Sequence, residues 1–203
     1  MNPSLRIAVA DDEPRMREFY QQILPLLGHE VVFIASSGKD LIAGCQTTRP
    51  HLVITDIRMP DVNGIDAARE ICKVEPVPII LVSAYDDPEL LDRAADDHVL
   101  AYLVKPIKRQ DLQPAIHIAA RRFDEFQSLR KEAADLRQAL QDRKLIERAK
   151  GILMKRTGQD EAAAFRSLQK LARDRNRKLA QIAESLVMAE EAFTLPDEKH
   201  SES

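Results

Sequence analysis

The amino-acid sequence predicts an α/β domain with a doubly wound sheet of five parallel strands, followed by a long helix and a small three-helix bundle. Five short apolar runs alternate with helical segments through the first half of the chain. Strands of a parallel sheet are buried on both faces and therefore form continuous apolar runs of this kind. In the second half Gly and Pro become rare, and apolar residues recur every three or four positions, which is typical of helices.

The strands and helices of the first half follow one another in a regular order. The five predicted strands are residues 5–10, 31–34, 51–55, 77–82 and 100–104. Four helices are predicted between them, at residues 14–27, 37–48, 65–74 and 86–97. This alternation gives an open parallel sheet with helices on both faces, which is the flavodoxin-like class of fold.

Composition excludes several classes of protein. Of 203 residues, 44% are apolar, which is enough for a packed core and excludes global disorder. No apolar run approaches the roughly 20 residues that a membrane-spanning helix needs. The N-terminus lacks a signal-peptide pattern, so we expect a cytoplasmic protein with no membrane association. Cys45 and Cys72 share no metal-ligand spacing and are expected to be buried thiols.

Charge is distributed unevenly along the chain. Residues 1–120 contain 12 basic and 18 acidic side chains, whereas residues 144–188 contain 11 basic and 5 acidic ones. This asymmetry favours two domains with different functions, and it favours an anionic partner for the second domain.

Polar residues follow the predicted strands where each strand ends. They are Asp11, Asp12, Asp56, Ser83 and Lys105. Ligands of open α/β sheets bind beyond the carboxyl ends of the strands, so we expect these side chains to converge at one edge. Carboxylates in one pocket repel one another, and Mg²⁺ with oxygen ligands relieves that repulsion. In such a pocket Asp56 can attack phosphorus, while Lys105 and Ser83 stabilise the phosphoryl oxygens.

These residues resemble the receiver domain of two-component response regulators over about residues 4–120. The resemblance rests on the acidic pair Asp11-Asp12, on Asp56 within Asp-Ile-Arg-Met-Pro-Asp-x-x-Gly, on Ser83-Ala84, and on Tyr102 with Lys105-Pro106. It implies that Asp56 accepts a phosphoryl group from a sensor histidine kinase. It also implies a Mg²⁺ site in which Asp12 binds the ion directly and Asp11 binds it through water, and which Asp56 and the Arg58 carbonyl group complete.

The resemblance further implies a switch that reads the phosphoryl group. Ser83 and Tyr102 would be the switch pair, and Ala84 and Lys105 would complete the phosphate-binding edge. A Gly usually stands near the end of the fourth receiver helix, where this chain has Asp97-His98-Val99, so His98 leaves the geometry of that loop open. The protein is expected to catalyse its own phosphorylation and not to be an enzyme in the ordinary sense.

An enzyme of the haloacid dehalogenase type is the competing interpretation of the same pocket. That class also uses an Asp nucleophile at a strand end, with a hydroxyl group and a Lys. It needs a second Asp two residues after the nucleophile, and Arg58 occupies that position here. The sequence therefore favours the receiver domain.

The long helix that follows is predicted to continue from the fifth receiver helix through a coiled-coil-like linker at residues 121–144. Its narrow apolar seam includes Leu129, Ala133, Leu136 and Leu140. Such a seam can pack against its own chain or pair with a second copy, so a phosphorylation-dependent homodimer is one possibility.

The remainder of the chain, residues 145–194, is predicted to form the helical bundle, with Asp160 and Asn176 capping its second and third helices. The string from Glu147 to Met154, Glu-Arg-Ala-Lys-Gly-Ile-Leu-Met, resembles an ANTAR domain, and the pattern of Gly158, Phe165 and Ala183 agrees with it. The resemblance implies binding of RNA stem-loops in nascent transcripts and transcription antitermination. Residues 195–203 are expected to be a disordered tail.

Basic side chains of the bundle are the candidates for RNA contact. They are Arg148, Lys150, Lys155, Arg156, Arg173, Arg175, Arg177 and Lys178. Basic patches give salt-dependent contacts with phosphates, and Arg planes stack on unpaired bases. The alternative function is a phosphorylation-dependent scaffold or sequestration protein that binds a protein partner through its helices and does not bind nucleic acid.

Overall fold

A parallel sheet of five strands organises the N-terminal part of the chain. The computed structural model describes residues 4–84 and 99–194. Within them the strands are β1 Arg6–Ala10, β2 Glu30–Ala35, β3 Leu52–Asp56, β4 Ile79–Ser83 and β5 Val99–Val104. They are hydrogen-bonded in the order β2-β1-β3-β4-β5, and every pair is parallel. This order confirms the flavodoxin-like fold. β2 is added on one side of β1 and β3 on the other, and folds of this kind bind ligands at the strand ends where the order changes side.

Six helices accompany the strands in the described residues. They are α1 Pro14–Leu26, α2 Gly38–Thr48, α3 Gly64–Val74, α4 Arg109–Thr157, α5 Glu161–Asp174 and α6 Leu179–Thr194. The ends of the first three helices and of all the strands lie within two residues of the predicted ends. The helix predicted at 86–97 and His98 lie outside the described residues.

The sheet is buried on both faces, which explains why its strands are continuous apolar runs. Alternate side chains of a strand point to opposite faces. Ala8 and Val53 pack with α2 and α3 in one core cluster. Ile7 and Leu52 pack with α1 and the start of α4 in the other. Burial of each such Leu or Ile contributes about 1.5–3 kcal/mol, so the strand ends that carry the polar residues are held firmly.

Of the two helix caps predicted from the sequence, one is confirmed and the other is wrong. Asp160 caps α5 as predicted, because its Oδ1 atom accepts a hydrogen bond from Ala163 N at 2.7 Å. Asn176 does not cap α6, which begins at Leu179. Asn176 has a positive φ of 50° instead, and Arg177 N donates to Ala172 O at 2.9 Å. The residue therefore closes the C-terminus of α5, a position in which Asn tolerates the left-handed conformation.

The chain divides into two compact units, Met1–Ser128 and Leu129–Ser203. The second unit has its own apolar core, in which Ala149 of α4, Leu168 of α5 and Ala183 of α6 are fully or almost fully buried. The predicted domain limits at residues 120 and 144 both fall inside α4, which is continuous over 49 residues. No interruption of the helix marks either limit, so these limits stay predictions.

Candidate functional site

The polar residues at the strand ends lie at one edge of the sheet. Asp11 and Asp12 follow β1, Asp56 ends β3, Ser83 ends β4, and Lys105 follows β5. Because the strands are parallel, their carboxyl ends share this edge. The fold thus brings together residues that are as many as 94 positions apart in the sequence.

Lys105 is at the centre of this pocket. Its Nζ atom lies 2.5 Å from Asp56 Oδ2, 2.9 Å from Glu13 Oε1 and 3.1 Å from Asp11 Oδ2. The Asp11 side chain is fully buried, and the side chains of Asp56 and Lys105 are only 7% and 12% exposed. Charge-assisted hydrogen bonds in a site so poorly hydrated fix the ammonium group beside the Asp56 carboxylate.

Burial has opposite consequences for the two kinds of charged group. Burial raises the pKa of Asp11, although the Glu13 N–H group and Lys105 partly offset the effect. Burial alone would lower the pKa of Lys105, but its hydrogen bonds to Asp56, Glu13 and Asp11 outweigh burial and raise it. The lysine is therefore a permanent cation at neutral pH, whereas the ionised form of Asp11 is disfavoured in this pocket.

The carboxylates fit a divalent cation. One oxygen atom from each of Asp11, Asp12, Glu13 and Asp56 lies within 4.8 Å of the others. Asp11 Oδ2 is buried and makes no hydrogen bond, since its 3.1 Å approach to Lys105 lacks hydrogen-bond geometry. A hard cation such as Mg²⁺ prefers oxygen ligands of this kind, and it would offset the negative charge that Lys105 leaves uncompensated among the four carboxylates. The donor set therefore fits the predicted magnesium site.

The variant Asp11→Asn separates the cost of burying the Asp11 carboxylate from its contribution to Mg²⁺ binding. A raised pKa means that the folded state binds the proton more tightly than the unfolded chain does, so stability falls as the pH rises from the ordinary pKa of an aspartate to the raised pKa of Asp11, and the loss is complete at neutral pH. Asp11, Glu13 and Asp56 share the ammonium group of Lys105, so removing the buried charge of Asp11 leaves that group paired. We therefore expect Asp11→Asn to increase the free energy of unfolding at neutral pH without Mg²⁺ by about 1 kcal/mol, the free energy of roughly one pKa unit. Added Mg²⁺ should no longer stabilise this variant. Urea unfolding with a chelator and with Mg²⁺ measures both quantities.

Asp12→Asn is the matched control for that experiment, because Asp12 is exposed. It should weaken the stabilisation by Mg²⁺ while leaving metal-free stability within about 0.5 kcal/mol, as for an ordinary surface change. Equal metal-free stability of the wild-type protein and Asp11→Asn would contradict the conclusion that the ionised Asp11 carboxylate destabilises the metal-free fold.

Arg58 and Arg17 organise the backbone around the pocket. Arg58 N donates to Asp56 Oδ1 at 3.1 Å, so the turn after β3 closes over the carboxylate. The Arg17 guanidinium group donates from Nη1 to the carbonyl oxygens of Asp11 and Asp12 at 2.7 and 2.8 Å. These contacts fix the β1–α1 turn. The predicted role of the Arg58 carbonyl group as a metal ligand stays a prediction.

The residues of the predicted switch surround the same edge. Ser83 is buried, and its carbonyl oxygen accepts a hydrogen bond from Lys105 N at 2.7 Å. Ala84 is exposed next to it. Tyr102 is partly buried and packs against the core cluster that includes α2 and α3. Their positions are compatible with the switch that the resemblance implies, and their roles stay predictions.

Sequence reasoning missed Glu13 and Arg17. Glu13 contributes an oxygen atom to the carboxylate cluster and binds Lys105, and Arg17 holds the turn. The signal for Glu13 was present, because it continues the acidic run after β1. Nothing in the local sequence distinguishes Arg17 from other charged residues of α1, since its partners are backbone oxygens.

In the second unit the structure divides the predicted basic residues into two groups. Arg148 forms an ion pair with Glu191 at 2.8 Å, and Arg156 binds Glu190 at 2.7 Å. Within residues 4–84 and 99–194, five others are exposed and no carboxylate pairs with their side chains. These are Lys155, Arg173, Arg175, Arg177 and Lys178. Four of them form a cluster at the junction of α5 and α6, hereafter the junction cluster: Arg173, Arg175, Arg177 and Lys178.

Lys150 lies in an unexpected environment for an RNA contact. Its side chain is only 9% exposed, and Nζ lies 2.8 Å from Glu147 and 2.6 Å from Glu161. The ammonium group also lies 5.9 Å from the centre of the Phe165 ring. These hydrogen bonds raise the pKa of Lys150 and lower that of Glu161. Lys150 thus connects α4 to the start of α5, and a phosphate would have to displace two carboxylates to reach it.

Two family models match the chain. Residues 7–117 match the response regulator receiver domain, and residues 134–187 match the ANTAR domain. The transcriptional regulatory protein PdtaR of Mycobacterium tuberculosis is 40% identical over 179 residues, which cover 88% of this chain and 87% of that protein. The transcriptional regulatory protein HptR of Staphylococcus aureus is 34% identical over 125 residues, covering 61% of this chain and 49% of that protein.

Solved structures resemble the first half of the chain. A response regulator receiver domain protein from Clostridium thermocellum has a TM-score of 0.55 at 31% identity, covering 60% of this chain and 98% of that one. The signal receiver domain of the response regulator NarL from Mycobacterium tuberculosis has a TM-score of 0.55 at 27% identity, covering 59% of this chain and 98% of that one. Among the residues that the structure describes, no helix is both long and apolar enough to cross a membrane.

Proposed function

The chain belongs to the response regulator receiver family and has an ANTAR output domain, and on that premise we propose that phosphorylation of Asp56 controls its binding to RNA stem-loops and hence transcription antitermination. The receiver and ANTAR domains together support a two-component response regulator with an RNA-binding output. The observation that carries the finer proposal is the contact of Lys105 Nζ with the nearly buried Asp56 carboxylate at 2.5 Å.

Phosphoryl transfer in this pocket depends mainly on charge. An Asp56 oxygen attacks phosphorus, the bond to the donor breaks, and the donor leaves with the electron pair of that bond. Lys105 neutralises negative charge on the transferred group, and the Ser83 hydroxyl donates a hydrogen bond to one of its oxygens. Asp11, Asp12 and Asp56 would hold Mg²⁺, which would supply further positive charge and reduce the repulsion between these carboxylates and the incoming phosphoryl group. The family resemblance makes a sensor histidine kinase the donor.

The switch and the long helix provide the proposed route to the output. Movement of Ser83 toward the phosphoryl group would let Tyr102 turn inward, which shifts a two-state equilibrium of the receiver. The helix α4 is continuous from the receiver into the second unit. Leu129, Leu136 and Leu140 are each 60% or more exposed along it, so a phosphorylation-dependent pairing with a second copy through this seam belongs to the proposal.

The junction cluster is the proposed RNA contact. Its four side chains are exposed, and they are free of carboxylate partners among the described residues, so they are available to phosphates. Arg side chains can also stack on unpaired loop bases, which are the part of an RNA that a protein reads most easily. Lys155 is exposed as well, whereas Arg148, Lys150 and Arg156 must first give up their carboxylate partners.

Neutralising the junction cluster tests the RNA proposal. We expect the combined replacement of its four residues by Gln to weaken stem-loop binding at least tenfold, and each lost phosphate contact should reduce the slope of log K against log salt by about 1. Fluorescence anisotropy with a labelled stem-loop, repeated at several salt concentrations, measures both. Circular dichroism checks that the helices remain folded.

A matched control removes the same charge elsewhere on the chain. Lys131, Arg137, Arg143 and Lys144 are exposed on α4, and their combined replacement by Gln should change affinity much less. Equal loss in the two variants would contradict a specific role of the junction cluster. If the wild-type protein does not bind stem-loops even at low salt, the scaffold interpretation is favoured.

A further inference from the structure

Glu13 occupies the Lys105 ammonium group, which an incoming phosphoryl group also needs as a partner. Lys105 has three ammonium protons, and three carboxylates accept from it. They are Asp56 at 2.5 Å, Glu13 at 2.9 Å and Asp11, whose Oδ1 atom accepts at 3.3 Å. The donor capacity of the ammonium group is therefore fully used. A phosphoryl oxygen can bind Lys105 only if one of these partners leaves.

Burial determines which partner leaves. The Asp11 side chain is fully buried, and that of Asp56 is 7% exposed, so neither can move into solvent without moving its strand end. Glu13 is 59% exposed and lies in the turn between β1 and α1, so its carboxylate can rotate into water at little cost. Glu13 is thus the replaceable ligand of Lys105.

We propose that Glu13 is a positioning residue that occupies Lys105 until a phosphoryl oxygen displaces it, and that it slows phosphorylation of Asp56 in this way. This inference rests on the proposed phosphorylation of Asp56. In the transfer, an Asp56 oxygen forms the bond to phosphorus while the acetyl phosphate P–O bond breaks, and acetate leaves with the electron pair. The Glu13 carboxylate leaves Lys105 as a phosphoryl oxygen takes its place, and no proton is gained or lost by either side chain.

The same carboxylate has the opposite effect on cation binding. Glu13 is one of four residues whose oxygen atoms lie within 4.8 Å of one another, and its negative charge adds to the attraction for a divalent cation. Removing that charge should weaken Mg²⁺ binding and, at the same time, free Lys105 for the phosphoryl group. This pair of opposite changes would not follow from a purely structural role.

The variant Glu13→Gln tests the proposal in the full-length chain. We expect the dissociation constant for Mg²⁺ on the unphosphorylated protein, measured by calorimetry, to rise about two- to fivefold, the range of a half-exposed ion pair. At saturating Mg²⁺ the rate of labelling by acetyl phosphate should rise by a similar factor. Glu18→Gln changes the same charge on an exposed position of α1 and should alter neither quantity.

The outcomes separate this inference from the proposed function. If the wild-type protein is labelled at Asp56 but Glu13→Gln has the same Mg²⁺ dissociation constant and the same labelling rate, the role of Glu13 is refuted. The assignment of Asp56 as the acceptor is then unaffected. If Glu13→Gln lowers the rate at saturating Mg²⁺, Glu13 assists the transfer and the competition is also refuted. If the wild-type protein is not labelled at all, the proposed function is refuted and the competition at Lys105 is refuted with it, even where the Mg²⁺ titration shows that Glu13 attracts the divalent cation.

Discussion

The variant Asp56→Asn should lose all labelling by acetyl phosphate, whereas the wild-type protein gains one phosphoryl group. Asn is nearly isosteric with Asp, and its carbonyl oxygen can still accept from Arg58 N, which lies 3.1 Å from Asp56 Oδ1. It lacks the anionic oxygen that attacks phosphorus, so the expected loss is at least a hundredfold, comparable to the removal of a nucleophile. Intact-mass spectrometry with and without Mg²⁺ measures the labelled fraction.

Asp61→Asn is the matched control for this loss. Asp61 is exposed in the same turn and has a positive φ of 65°, a conformation that Asn also tolerates. Its labelling should equal that of the wild-type protein. Labelling that persists in Asp56→Asn would place the acceptor on another carboxylate of the pocket, and fragmentation of the labelled peptide would then decide among Asp11, Asp12 and Glu13.

The fold was predictable because strand burial leaves a strong pattern in the sequence. Strand β3 and strand β4 are buried at every position. Each is therefore an apolar run that gives way to polar residues at its end, Thr55 and Asp56 in β3 and Ser83 in β4. Parallel strands then place those polar residues at one edge, whatever the details of the loops. The observed strand ends differ from the predicted ones by a residue or two, because hydrogen-bond pairing, and not hydrophobicity, determines where a strand ends.

Partners of individual side chains were much less predictable. The sequence grouped Lys150 with exposed basic residues, yet its ammonium group is held by Glu147 and by Glu161 of the next helix. It left Glu13 out of the pocket, although Glu13 contacts Lys105. Asn176 has a polar side chain suited to a cap but closes a helix C-terminus. In each case the deciding contact depends on how a turn or a neighbouring helix is oriented, which residue type alone does not encode.

Gly64 is the position where a single methyl group should have the largest effect on stability. A Cβ atom on Gly64 would lie 2.0 Å from the carbonyl oxygen of Asp56 and 3.1 Å from Thr55 Oγ1. Backbone atoms at the end of a central strand cannot move aside as a flexible side chain can. Gly64 N also donates to Ile57 O at 2.9 Å, so α3 starts directly against the strand end that carries Asp56.

We therefore expect Gly64→Ala to lower the free energy of unfolding of the receiver by about 3 kcal/mol, the upper part of the range for overpacking. Displacement of α3 should also move the Asp56 carboxylate relative to Lys105, so labelling by acetyl phosphate should fall even in the folded fraction. Urea unfolding followed by circular dichroism measures stability, and a labelling assay at low urea measures the second effect.

The sign of the effect distinguishes close packing from a general cost of replacing glycine. Gly151 lies in the interior of α4, is exposed, and a Cβ atom there would have no neighbour within 4 Å. Gly151→Ala should accordingly stabilise the second unit by about 0.5–1 kcal/mol, because Ala loses less conformational entropy in a helix. The same chemical change would then destabilise one unit and stabilise the other. A loss of stability in both variants, or in neither, would contradict the steric explanation for Gly64 and with it the requirement that α3 start against Asp56.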